Sequence, residues 1–484
     1  MNLKKEPVLL NAASFPGRRG YLPPVSDLPT VAIEELIPNS FLRCTPLRLP
    51  ELSEMEVTRH FTHLSQRSFG VDQGFYPLGS CTMKYNPKLL EDLPNLPGFQ
   101  DLHPLQDETC TQGALALLHQ AEKIFVSLTG MDAFTLQPAA GAHGELTGML
   151  ILKAALLDQG ETERDTILIP DSAHGTNPAS AALAGFKVQK IPSSAAGIID
   201  PKDLKPYLSP QVAGLMLTNP NTLGLFEKEI LTITRMIHDH GGQVYYDGAN
   251  LNAILGWGRP GDMGFDLVHL NLHKTFATPH GGGGPGSGPL GVKAHLVPYL
   301  PVPRIIQTAD GFEWSADAPR SIGKVKGYWG HFSVVIKALA YILQLGYDGL
   351  KQVSADAVLA ANYLQTLLKE DYNLPYDQFC MHEFVLSGLK DNPEQVRTLD
   401  LAKGLLDYGV HPPTVYFPLI VDEALMIEPT ESVTLELLDT FVAIMKELAK
   451  LAKTEPQQLR AAPSTTPVGR LDETKAARYP VLRW

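Results

Sequence analysis

The residue types that could do chemistry gather around Lys274, in LNLHKTF (residues 270–276). Leu270 and Leu272 alternate with Asn271 and His273, a period that predicts a short strand ending at the lysine. HGGGGPGSGP (280–289) follows almost at once. Burying an ammonium is unfavourable, so a lysine at the end of a buried strand tends towards the free amine, a nucleophile able to form a Schiff base. The ordinary fate of such a lysine is to snorkel to solvent. Four further features bear on the choice: Asp247 ending YYDGAN, His174 in PDSAHGTNPAS, Gly141 and Ala142 in AAGAHGE, and Asn219 in LTNPNT. Taken singly, each has a bland reading as a turn aspartate, a satisfied loop histidine, a turn glycine or an Asn-Pro turn.

The elements around them put all five at comparable places. AFTLQ (133–137), TILIP (166–170), KVQKIP (187–192), the start of AGLMLTNPNTLGLFE (213–227) and QVYYDGAN (243–250) read as strands. Helical patterns lie between them at 111–130, 138–160 and 229–242. Strands alternating with helices predict a mainly parallel sheet covered on both faces. In such sheets ligands bind beyond the carboxyl ends of the strands, where these residues are expected to lie. Beyond about 330 the pattern changes. Amphipathic helices at 331–346 and 354–370, strands at 382–388, 414–421 and 424–429, and helices at 401–409 and 430–453 predict a smaller α+β domain. The expected organisation is an N-terminal arm with loops (1–85), a large domain (86–330), a small domain (331–453) and a tail (454–484). PTVAIEELIP (29–38) and FPGRRGY (15–21) suggest that the arm wraps another surface.

Composition narrows the class. The chain has 484 residues, 44% hydrophobic and 19% charged, as in a soluble globular protein. A net charge of −12 argues against nucleic acid and anionic membrane partners. No apolar run is long enough to span a membrane. Four dispersed cysteines without C-x-x-C suit a reducing compartment, so a cytoplasmic location is expected. His60 and His63 share a helical face at 54–70 without an acidic or thiol neighbour, and His269 and His273 lie on a predicted strand. No metal site is expected from either pair. The G-x-G-x-x-G from Gly281 through Gly283 to Gly286 opens no strand–helix junction and contains Pro285, so a dinucleotide site is unsupported.

Together the five features match a pyridoxal-phosphate site. The amine of Lys274 would bind the aldehyde, and Asp247 would pair with a protonated pyridine nitrogen, keeping the ring an electron sink. His174 suits stacking on the ring. The helix opening at Gly141 and Ala142 offers free N–H groups to a phosphate, and Asn219 could hold a phenolate oxygen.

Longer strings carry a family resemblance over nearly the whole chain: GFYPLGSCTMKYNPK, QPAAGAHGELTG, PDSAHGTNPAS, LTNPNTLGLFE, YYDGANLNAI, HLNLHKTFATPHGGGGPGSGP, HPPTVYFPLI and ALMIEPTES. In these the chain resembles the P-protein family of the glycine cleavage system, the pyridoxal-phosphate-dependent glycine dehydrogenases (decarboxylating), and most closely subunit 2 of the two-subunit bacterial form. The resemblance implies an aspartate-aminotransferase-like, fold-type I α/β architecture. It implies that Lys274 is the Schiff-base lysine, that Asp247 faces the ring nitrogen, and that His174 and Ala249 pack on opposite faces of the ring. The implied reaction is decarboxylation of glycine with transfer of the aminomethyl group to the lipoyl arm of the H-protein, in an α2β2 assembly with a subunit 1. The glycine-rich stretch at 281–288 is expected at a subunit contact near the phosphate. His273 is a candidate for proton handling, with a structural histidine as the equal alternative. Another fold-type I enzyme, an aminotransferase or amino-acid decarboxylase, and a non-catalytic scaffold subunit are the competing readings.

Overall fold

The computed structural model describes residues 8–45, 47–280 and 286–482, so part of the glycine-rich stretch, 281–285, lies outside the described residues. The chain divides into two compact units, residues 1–73 with 463–484, and residues 74–462. In the first, the helix Glu54–Ser65 opens with a reciprocal capping box between Ser53 and Glu56. The segment before it is tied down by Gly17 N–H donating to Glu51 Oε2 at 2.6 Å and by an Arg18–Glu56 ion pair. A short helix, Glu473–Arg478, is capped by Asp472. His60 lies on the Glu54–Ser65 helix and His63 in its last turn.

The second unit is built on a seven-stranded sheet. Its strands are β1 (Ala133–Thr135), β2 (Thr166–Pro170), β3 (Lys187–Ile191), β4 (Val212–Thr218), β5 (Gln243–Gly248), β6 (Leu267–Leu270) and β7 (Leu290–Val292), in the order β1-β7-β6-β5-β4-β2-β3. Only β7 runs against its neighbours. The central strands are apolar without alternation because both faces are covered. Along β2, β4, β5 and β6 one set of side chains (Leu168, Leu215, Leu217, Val244, Tyr246, Val268) enters one core. The intervening set (Ile167, Ile169, Met216, Tyr245, Leu267) enters the core on the opposite face. The edge strand β3, KVQKI, is mostly exposed and carries two lysines, a charged edge that discourages further pairing.

Helices cover both faces. Gln112–Thr129 ends at Gly130 in the left-handed conformation, and Ile230–Asp239 buries Ile230, Ile233 and Ile237 on one stripe. Gly141–Asp158 buries residues all round. A two-stranded ribbon, β8 (Arg304–Gln307) with β9 (Phe312–Ser315), has no counterpart in the sequence-based expectation. The expected helices at 331–346 and 354–370 are one element, Phe332–Leu368, broken only at Gly346 (φ 62°, ψ −174°). A second, antiparallel sheet of β10 (Phe384–Ser387), β11 (Thr414–Val415) and β12 (Ala424–Ile427), in the order β10-β12-β11, packs with the helices Thr398–Asp407 and Leu435–Thr454. The strand expected over 414–421 stops at Val415. Tyr416 turns left-handed (φ 58°), and Pro418 cannot extend a ladder. No helix among the described residues is long and apolar enough to cross a membrane.

Register places the polar residues. Asp247 on β5 lies opposite Thr218 on β4 and His269 on β6. The next residue, Gly248, allows β5 and β6 to close together there, since a Cβ would run into the His269 carbonyl oxygen. Gly248→Ala is therefore expected to destabilise the unit by about 3 kcal/mol, the upper end for overpacking. Urea unfolding monitored by circular dichroism checks it, and an unchanged midpoint would refute the close approach.

Candidate active site

A cavity of about 250 Å³ opens at the carboxyl ends of these strands, bounded in part by Ser80, Gly141, Ala142, Glu145, His174, Thr218, Asp247, Ala249, Asn250, Asn271, His273 and Lys274. Lys274 is not on the strand expected for it. β6 ends at Leu270, and the lysine sits on a one-turn helix, Leu272–Thr275. The cause is visible in the core: Leu272 and Phe276 are fully buried at helical spacing, and Asn271 O accepts the Lys274 and Thr275 N–H groups. The half-buried lysine carries its Nζ to the cavity without a hydrogen bond or ion pair among the described residues.

Asp247 is buried, and burial alone would push its carboxyl up. His269, the Asn177 amide, Lys274 and the Ala249 N–H outweigh that and hold it below the usual carboxylate range. Asn177 Nδ2 donates to Oδ2 at 3.0 Å, Thr218 Oγ1 donates to the same oxygen at 3.2 Å, and Ala249 N–H donates to Oδ1 at 2.9 Å. His269 Nε2 stands 3.3 Å from Oδ1, while its Nδ1 is 2.9 Å from the Tyr245 hydroxyl. A proton on Nε2, facing the carboxylate, leaves Nδ1 to accept from Tyr245.

Glu145 is a member of the site that the sequence reading missed. It is buried on the first turns of the Gly141–Asp158 helix and accepts from Thr176, Asn177 and Ser180. Burial, then the neighbouring Asp247 charge, raises its carboxyl to about 7 against those hydrogen bonds. Asn177 Nδ2 bridges the two acids. Environment thus separates a carboxylate from a near-neutral carboxyl.

The remaining expected residues are placed as follows. His174 is exposed, with Nδ1 2.9 Å from Thr176 Oγ1 and its ring edge-on to Phe417 at 5.7 Å. Ala249 and Ala142 are on the wall. Gly141 packs so closely on Asn271 that a Cβ would strike its amide. Ala140, at the N-cap, offers no side-chain cap, which leaves the first N–H groups of an 18-residue helix free at the cavity. Asn219 is not among the lining residues. Its Oδ1 accepts the Glu227 N–H at 3.0 Å, and its buried Nδ2 has no partner among the described residues. Thr218, its neighbour, lines the cavity instead. His273 lines the cavity with its ring edge-on to His280 at 4.6 Å. Burial, then the charges of His280 and Lys274, lowers His273 to about 3, so it is a neutral imidazole at physiological pH.

Comparison with known proteins decides the family. The chain is 57% identical over 482 residues to "Probable glycine dehydrogenase (decarboxylating) subunit 2" of Caldanaerobacter subterraneus, covering 100% of this chain and 99% of that protein. It is 54% identical over 484 residues to the protein of the same name in Listeria monocytogenes, with 100% and 99% covered. The chain belongs to the glycine dehydrogenase (decarboxylating) subunit 2 family. A family model described as glycine dehydrogenase, C-terminal domain, matches residues 353–464. Among solved structures, an inhibitor-bound glycine decarboxylase (P-protein) superposes with a TM-score of 0.72 at 21% identity, over 86% of this chain and 94% of that one. A Lactobacillus brevis glutamate decarboxylase superposes with 0.66 at 12% identity, over 85% and 95%. The aspartate-aminotransferase-like, fold-type I architecture expected from the sequence is the one observed.

The Glu145–Asp247 pair has a pH signature. Glu145 titrates near 4.5 when unfolded and near 7 when folded, so its contribution to stability worsens as pH rises through that interval. Glu145→Gln lacks this penalty. Its stability relative to the parent should improve by on the order of 2–3 kcal/mol between about pH 4.5 and about pH 8. Urea unfolding of both proteins at the two pH values checks it, and a pH-independent difference would count against a protonated Glu145.

Proposed function

We propose that this chain is the pyridoxal-phosphate-binding subunit of a glycine dehydrogenase (decarboxylating), removing carbon dioxide from glycine and passing the aminomethyl group to a lipoyl disulfide. The observation that carries the reading is one cavity uniting the Lys274 amine, the ionised buried Asp247 and an uncapped helix N-terminus. The site fits pyridoxal phosphate on the chain's own chemistry. Asn271 Oδ1 on its wall is a buried polar atom without a hydrogen-bond partner among the described residues. The free N–H groups at Gly141 and Ala142 suit a phosphate, and Lys274 supplies the amine for covalent attachment. When bound, pyridoxal phosphate supplies a ring that takes up the electron pair left by departing carbon dioxide.

The protein's share is electrostatic and positional. Asp247, kept charged by its donors, would hold a proton on the ring nitrogen, and His174 and Ala249 would hold the ring's two faces. His273 is a neutral imidazole beside Lys274, and burial, by holding it at about 3, leaves it too weak a base to take a proton from the substrate ammonium, which favours the structural alternative for it. The relatives' name, subunit 2, supports a partner subunit, and the exposed Tyr21, Leu22, Val25 and Leu28 of the N-terminal segment offer it apolar contact. An α2β2 assembly with subunit 1, serving a lipoylated H-protein in the cytoplasm, completes the proposal.

Lys274→Ala should abolish the visible absorption of the bound cofactor. In the presence of subunit 1 and H-protein it should lower glycine–bicarbonate exchange by roughly three orders of magnitude or more. An unaltered spectrum, or exchange absent from the parent protein under those conditions, would overturn the reading.

A further inference from the structure

Behind the cavity lies a second acidic centre that the chemistry above does not use. β10 and β12 pair with Phe384 opposite Ile427, so the next residues outwards, Glu383 and Glu428, sit side by side. Both are fully buried, as is His382. His382 Nε2 is 3.6 Å from Glu383 Oε1 and 3.9 Å from Glu428 Oε1, and neither ring nitrogen has a hydrogen-bond partner among the described residues. Ligand-type atoms of all three lie within 4.8 Å of one another. Three of the four carboxylate oxygens also accept from the neighbouring loop: Ser80 N–H donates to Glu383 Oε2 at 2.7 Å, and Thr82 donates its N–H to Glu428 Oε2 at 2.8 Å and its hydroxyl to Oε1 at 2.5 Å. Asn250 Nδ2 reaches Glu383 Oε1 at 3.5 Å. Ser80 and Asn250 are themselves on the cavity wall, so the acids stand one layer behind it.

We propose that Glu383 and Glu428, backed by His382, hold one shared proton at neutral pH and form a charge-setting pair for Lys274. Two carboxylates this close in a water-free site cannot both ionise without a compensating cation. The positive groups nearby do not fully supply one. Lys84 is committed to Glu431 at 2.7 Å and to the Thr275 carbonyl at 3.3 Å. His382 is pushed by burial to about 3 and stays neutral, and the Cys81 thiol is pushed by burial to about 11. Burial raises Glu383 and Glu428, and Lys274 acts on both through space. The pair therefore presents a single negative charge to the lysine nitrogen. A second appears only on alkaline titration, while the N–H contacts keep Ser80 seated on the wall. Glu383 acts through Ser80 and Asn250, and Glu428 through Thr82, and both are positioning residues.

The role in turnover rests on the glycine reading; the shared proton does not, and it is testable without substrate. Infrared spectra of the holoenzyme at neutral pH should show the carbonyl band of a buried carboxylic acid, shifted in deuterium oxide. Glu145 also contributes to that band, so the pair's component is read as a parent-minus-variant difference, and the same component should be lost in both Glu383→Gln and Glu428→Gln, because the remaining acid then ionises alone. Each single variant also leaves the local charge unchanged at neutral pH. The pH midpoint of the visible band at Lys274 should accordingly stay within about half a unit of the parent's, and fall by about one unit or more in the double variant. Absence of that component from the parent would overturn the proposal, as would its survival in both single variants. A stoichiometric metal ion, lost from the Glu428→Gln protein, would overturn it in favour of a metal centre. Infrared failure with intact exchange activity rejects the pair alone. A clear pair component with no exchange in the parent rejects the glycine reading and leaves the pair standing.

Discussion

Everything at this site depends on keeping a carboxylate charged where water is absent. Moving an isolated ionised carboxylate into a low-dielectric interior costs tens of kcal/mol in the ideal limit, and an acid so placed normally neutralises instead. Asp247 does not, because its two oxygens receive three hydrogen bonds and face His269. Only the Ala249 N–H is local. Thr218 and His269 are brought by the registers of β4 and β6, and Asn177 by the Thr176–Leu183 helix. The parallel sheet is thus a means of bringing three donors to one side chain, and its register is a functional quantity. A one-residue slip of either neighbour would turn the donor to the opposite face.

The same network divides labour between acids. Asn177 has one amide nitrogen shared between Asp247 and Glu145, and only one of the two acids has further charged and backbone partners. The charge settles on Asp247, and Glu145 titrates near neutrality. Tyr245, its hydroxyl held protonated by burial and by the nearby acids, fixes the orientation of His269. Selective ionisation, rather than acidity as such, is what a cationic ring nitrogen would need opposite it.

Much of this was legible in the sequence, and the omissions have physical reasons. Lys274, Asp247, His174 and the Gly141–Ala142 turn could be found because ligand sites of open α/β sheets lie at strand ends, and strand ends are marked by a change of hydrophobic period. The secondary structure of Lys274 was misjudged because Leu270, Leu272 and Phe276 satisfy a period of two as far as Leu272 and a helical period thereafter. Burial of Phe276 decides the matter. Glu145 was invisible because it looks like any helical glutamate, and only the fold brings Asn177 and Asp247 to it. Asn219 has the right place along the chain, yet its carboxamide oxygen serves the Glu227 backbone. Ser80 is remote from every other wall residue in sequence, and no local pattern announces that its segment returns to β12.

That segment shows how far the site extends. Ser80 and Thr82 both adopt left-handed backbone (φ 63° and 51°), a conformation that costs non-glycine residues on the order of 1–3 kcal/mol each. It persists because their N–H groups have buried carboxylates to bind, Glu383 and Glu428, which flank β10 and β12. Leu78 also bridges to Ile427, and Thr414 Oγ1 donates to the Gly79 carbonyl. Gly79 packs against Met426 so closely that no side chain fits. The wall opposite Asp247 is therefore made by the antiparallel sheet gripping a strained loop, whereas the floor is made by the parallel sheet. Hydrogen bonds to charged or shared-proton acceptors are stronger than neutral ones. A loop seated on two acids is held more firmly than one seated on amides, and its seating varies with their ionisation. The cavity is in this sense assembled by two sheets whose polar ends solve one problem in different ways: one keeps a carboxylate charged by surrounding it with donors, the other keeps two carboxylates close by leaving a proton between them.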